Sequence, residues 1–84
     1  MEEEAIQEVK DEPGMQLENL AKNFLITTKR YDFKEGHNYW IIVRDLSTDT
    51  HSIGYPKDVI KELKEDDFDK AVALHYSVVG ELNR

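Results

Sequence analysis

Three histidines, three serines and two runs of carboxylates are the side chains in this chain best suited to chemistry. Nucleophilic catalysis needs a hydroxyl held beside an imidazole, with an acid to orient the ring. Ser47, Ser52 and Ser77 are available, with His37, His51 and His75. None of the serines stands in a strand–turn–helix motif such as G-x-S-x-G, so hydrolase chemistry is not expected. A metal site needs convergent ligands, and neither H-x-x-x-H nor C-x-x-C spacing occurs. His37 and His51 fall in or beside two successive turns, which a β-meander places at opposite ends of its sheet. His75 sits inside an apolar helical stripe and reads as a core-edge histidine with a hydrogen bond. The glycines at 14, 36, 54 and 80 are scattered, so no phosphate-cradling loop is present. The expectation is a protein that is not an enzyme and that needs no cofactor or metal.

The carboxylates carry more information. Glu62, Glu65, Asp66, Asp67 and Asp69 lie close in sequence, and Glu2, Glu3, Glu4, Glu8, Asp11 and Glu12 form a second cluster. One reading is a solubilising surface with helix caps. The sharper one is a row of charges that mimics nucleic-acid phosphates and occupies the groove of a basic, nucleic-acid-binding protein, with fast, salt-sensitive association. The charge is unevenly spread along the chain. Residues 1–20 carry seven acids and one base, residues 21–44 two acids and five bases, and residues 45–84 nine acids and five bases. The net charge of −7 argues against phosphate affinity as the main driving force and favours a basic protein partner. The alternative uses the basic middle: Lys29, Arg30, Lys34 and Arg44 contacting nucleic acid directly. A third candidate surface is aromatic, with Tyr39 and Trp40 as anchors beside Tyr31, Phe33 and Tyr55.

These residues need elements to hold them. Residues 1–14 are Glu-rich and end on Pro13-Gly14, a strong breaker pair, so they read as a disordered acidic tail before one small domain over 15–84. Leu17, Leu20, Ala21 and Phe24 recur at i, i+3, i+4 and i+7, the spacing of a short helix over 15–24. Leu25 to Lys34 alternates, with Leu25, Thr27, Lys29, Tyr31 and Phe33 on one face and Ile26, Thr28, Arg30 and Asp32 on the other. Glu35-Gly36-His37-Asn38 supplies a four-residue connection. Tyr39 to Leu46 is apolar on both sides, as a central strand requires. Ser47 to Thr50 is turn chemistry, and His51 to Tyr55 completes a three-stranded antiparallel meander.

Pro56 suits the first position of a helix, with Val59, Ile60 and Leu63 as its buried stripe. Asp66 or Asp67 then caps a final helix, with Asp69 in its first turn. Phe68, Ala71, Val72, His75, Val78, Val79 and Leu82 form its apolar face. The expected fold class is therefore α+β: a short helix, a three-stranded meander, then two C-terminal helices packed on the sheet.

A domain of about 70 residues with no disulfide buries little surface, which makes a homodimer a reasonable source of further burial. No run approaches the roughly 20 apolar residues of a membrane span. The Met-Glu-Glu-Glu start and the absence of cysteine place the expected location in the cytoplasm. The function expected from these features is a small acidic protein-binding module, an inhibitor or adaptor acting through Glu62, Glu65, Asp66, Asp67 and Asp69. A small homodimeric structural or adaptor protein is a further alternative.

Overall fold

The computed structural model describes residues 9–47 and 59–84. Four strands, β1 (Gln16–Ala21), β2 (Phe24–Phe33), β3 (Gly36–Asp45) and β4 (Val59–Glu65), form one antiparallel sheet in the order β1-β2-β3-β4. Among the described residues one helix, α1 (Phe68–Leu82), follows and packs on one face. The class is α+β, as the sequence suggests, but two of the three helices expected are strands.

The first correction falls on 15–24. Instead of a helix, Gln16 to Ala21 pairs with β2 along its whole length, from Gln16 opposite Lys29 to Ala21 opposite Phe24. A helix this short is marginal in water, whereas a neighbouring strand offers a ladder of backbone bonds. The apolar spacing is ambiguous because Leu17 and Ala21 fit a period of two as well as 3.6. Leu20 separates the readings. In the strand it points away from Leu17 and is 63% exposed, while Leu17 is fully buried. The strand turns back through Lys22-Asn23, where Lys22 adopts the left-handed φ of 56°. The Lys22 ammonium also donates to the backbone carbonyl of Arg84, tying this turn to the end of the chain.

β2 and β3 form as expected, but their turn is tighter than the four residues anticipated. Lys34-Glu35 makes the turn, while Gly36, His37 and Asn38 enter β3 opposite Phe33, Asp32 and Tyr31. The second correction is β4. Val59 to Glu65 is not a helix but the partner of β3, with Leu63 opposite Ile41 and Glu65 opposite Tyr39. A central strand with two apolar faces needs a neighbour on each side, and Glu62-Leu63-Lys64 alternates outward, inward, outward to supply one. Val43 faces Lys61 and Arg44 faces Val59, so Ile60 is the extra residue of a β-bulge at this edge. The strand expected at His51–Tyr55, and Pro56 with it, lies outside the described residues.

The final helix stands where its periodicity put it. Asp67 is the N-cap, and its carboxylate accepts the Lys70 backbone N–H at 3.1 Å. Glu65 accepts the neighbouring backbone N–H of Asp66 at 2.9 Å. The helix lays Ala71 and His75, both fully buried, onto a core of Leu17, Ile26, Tyr39, Ile41 and Val43. Met15 and Val9 close one end of this core. No helix among the described residues is long and apolar enough to cross a membrane.

Candidate functional site

Because α1 covers one face only, the other face of the sheet has no layer over it among the described residues. Strand alternation puts on that face the even-numbered residues of β1 and β3 and the odd-numbered residues of β2. The cross-strand register then sorts them into rows. Gln16, Lys29, Trp40 and Lys64 form one row; Glu18, Thr27, Ile42 and Glu62 form the next. Beyond them come Leu20, Leu25, Arg44 and Val59, and on the far side Tyr31 opposite Asn38. Tyr31, Trp40, Ile42 and Glu62 line a shallow cleft in this surface. Tyr31 is 43% and Phe33 55% exposed, so several large apolar groups stay in contact with water. Thr27 is nearly buried and donates to Glu18 at 3.2 Å, which anchors one carboxylate of the second row.

The carboxylates expected to act together are separated by the fold. Glu62 projects from the helix-free face, as its pairing with Ile42 requires. Glu65 pairs with Tyr39 on the helix side, and its carboxylate bonds the start of α1. Asp67 is the N-cap, and Asp69 lies in the first helical turn. Asp66, Asp67 and Asp69 are exposed at one end of the molecule. The basic set divides as well. Lys29 and Arg44 lie on the helix-free face, Lys34 sits in the β2–β3 turn, and Arg30 points to the helix side. The two aromatic anchors, being consecutive in a strand, are on opposite faces. Tyr39 is fully buried beneath the helix, and Trp40 is half-buried on the open side.

Two polar clusters lie on the helix side. Asp11 accepts from the Tyr39 hydroxyl at 2.5 Å and from the Arg30 guanidinium at 2.7 Å through the same oxygen. Arg30 also reaches Asp32 at 2.8 Å. The Tyr39 hydrogen bond, reinforced by Arg30, holds the Asp11 carboxyl below its ordinary range. Burial, with the Asp11 charge beside it, pushes the Tyr39 phenol up to about 12. The second cluster is His75 between Thr28, 2.7 Å from Nδ1, and Asn19 Oδ1, 2.8 Å from Nε2. The amide oxygen can only accept, so Nε2 carries the proton and Nδ1 accepts from the Thr28 hydroxyl. Burial lowers the His75 pKa to about 4. The ring is thus a neutral part of the core, hydrogen-bonded at both nitrogens, where its place in the apolar stripe suggests one hydrogen bond at the core edge.

The Ser47 hydroxyl donates to Asp45 at 2.6 Å in the turn after β3. Among the described residues, no three His, Cys, Asp or Glu side chains are grouped to hold a metal ion. His37 packs edge-on against the Tyr39 ring at 5.5 Å, and His51 lies outside the described residues.

Sequence reasoning missed Lys64, Ile42 and Glu18 as members of one surface. The alternation within β2 and β3 was legible, but only the register joins the two half-faces into one. Asp11 carried no local signal for its contact with Tyr39, which lies 28 residues away. No protein-family model, curated protein or solved structure matches the chain.

Proposed function

We propose that this chain is a non-enzymatic protein-binding module that docks through the helix-free face of its sheet. The observation that carries this reading is the cluster of Tyr31, Trp40 and Ile42 on a face no described residue covers. Aromatic and aliphatic groups grouped in this way, with charges around them, have the make-up of an interface core and its rim. An isolated exposed apolar residue would mean little; a contiguous set on one sheet face has a consequence for association. The acidic set Glu62, Glu65, Asp66, Asp67 and Asp69 fits the role less well, because Glu65 and Asp67 are engaged at the start of α1.

The test is retention of partners, including a co-expressed untagged copy of the chain, on the tagged protein from nuclease-treated lysate. Leu20→Lys with Tyr31→Lys places two charges on the open face at exposed positions, so folding is spared. This variant is expected to lose what the parent retains, whereas Asp66→Lys with Asp69→Lys keeps it. Loss with the acidic variant alone would move the docking site to the carboxylates and overturn the reading.

A second reading rests on Lys29 and Lys64 flanking Trp40 in one row. Cations beside an aromatic ring make a stacking platform for single-stranded nucleic acid. Glu18 and Glu62 occupy the next row and would repel the phosphates, so this reading is subordinate. Trp40 emission that stays unchanged when an oligonucleotide is added at low salt would eliminate it.

A further inference from the structure

We propose that the partner at the helix-free face is a second copy of this chain, packed sheet against sheet about a two-fold axis. The inference rests on the reading that this face binds protein, and it is carried by the sequence of charges across the rows. The row of Gln16, Lys29, Trp40 and Lys64 is cationic, and the row of Glu18, Thr27, Ile42 and Glu62 is anionic. A two-fold axis lying between the sheets, at right angles to the strands and passing between these rows, sets each row against the other row of the second copy. Lys64 then meets Glu62 of the second copy, Trp40 meets its Ile42, and Tyr31 meets its Leu25. Every contact is made twice, as a closed isologous interface requires.

The alternative alignment, each row against itself, sets Glu18 and Glu62 against their own kind and is disfavoured by like-charge repulsion. The charges therefore select one register as well as allowing association. Lys64 and Glu62 are both exposed, and neither forms an ion pair among the described residues, so both are at hand for the contact.

The balance of charge also points to a copy rather than to a basic partner. The whole chain carries −7, yet its helix-free face holds Lys29, Arg44 and Lys64 against Glu18 and Glu62. A strongly basic partner gains nothing on a surface with one more cation than anion. Against a copy, Lys64 meets Glu62 twice and no like charges are set opposite one another. Four strands spaced about 4.8 Å apart and about seven residues long give a contact on the order of 1,000 Å² for the pair. That is the low end for a specific interface, so the dimer is expected to dissociate in the micromolar range.

Sedimentation equilibrium of the full chain, from low micromolar to near-millimolar concentration, tests the proposal. Trp40 is the only tryptophan, so its emission and its quenching by acrylamide report on this face alone. A concentration-dependent dimer is expected, with Trp40 becoming protected as it forms. Lys64→Glu and Glu62→Lys should each weaken association about tenfold, and the exchange E62K/K64E should restore it. Both positions are exposed, and circular dichroism checks that each of the three variants is folded. A dimer indifferent to the single changes, or singles that the exchange does not rescue, would overturn the proposal. A monomer at every concentration with Trp40 open to quencher would overturn the second copy as partner and leave the docking face standing. Trp40 protected in the monomer would overturn both, because the chain would then cover the face itself.

Discussion

His75 Nδ1 and Thr28 Oγ1 lie 2.7 Å apart, with both residues fully buried between α1 and β2. The bond joins residues 47 positions apart and clamps the helix to the sheet at one point. With Asn19 accepting from the other nitrogen, both ring nitrogens are hydrogen-bonded, and it is burial that keeps the ring neutral. Three elements thus meet on one titratable group.

A pH dependence results. His75 has a pKa of about 4 when folded, against the ordinary 6.5. The folded state therefore binds the proton less readily than the unfolded state. Its contribution is fully present above pH 6.5 and is lost as pH falls through 4. The total is roughly 3 kcal/mol by proton linkage. Urea unfolding at a series of pH values should show this loss, and His75→Gln should flatten it. Asp11, held below its ordinary 3.8, acts only at lower pH, so the two windows separate.

Thr28→Val keeps the shape of the side chain and removes the hydroxyl. Nδ1 is left buried and unpaired, which costs about 1–3 kcal/mol at neutral pH. Chemical denaturation of this variant beside the parent measures it. Destabilisation below about 0.5 kcal/mol would show that the bond contributes little.

Tyr39 should ionise well above the ordinary tyrosine range. Its phenol is pushed up to about 12, first by burial and then by the Asp11 carboxylate. Ultraviolet titration is expected to show one late phase, and Asp11→Asn should move that phase to lower pH by removing the charge. A titration unaltered by Asp11→Asn would mean that the contact is not made in solution.

Leu17 and Leu20 provide a direct check on β1. Leu17→Ala empties a filled core position and is expected to cost about 2–5 kcal/mol. Leu20→Ala, on the open face, should change stability by no more than about 0.5 kcal/mol. In a helix these residues would share a face and lose stability together, so thermal unfolding of the two variants separates the structures.

Asp67→Ala removes the acceptor for the Lys70 N–H and should cost about 1 kcal/mol. Asp67→Ser should recover most of it, since a hydroxyl also caps. Equal loss in both variants would indicate that the carboxylate acts by charge rather than as a cap.

Much of the fold was legible because some segments are long enough to define a period. The seven apolar positions from Phe68 to Leu82 admit only a helix, and β2 with β3 alternates over ten residues each. Those patterns also put Tyr39 and Trp40 on opposite sides. They made His75 a core-edge residue before its partners were known.

The segments that became β1 and β4 have six and seven residues, too few to separate a period of two from one of 3.6. Their state was decided by partners outside each segment, β2 for one and β3 for the other, whose free backbone groups had to be paired. The candidate site divides in the same way. Residue types and alternation determined which groups could lie together on each strand. Only the register, a set of bonds between residues far apart in the chain, aligned Lys29, Trp40 and Lys64 in one row and brought Asp11 to Tyr39.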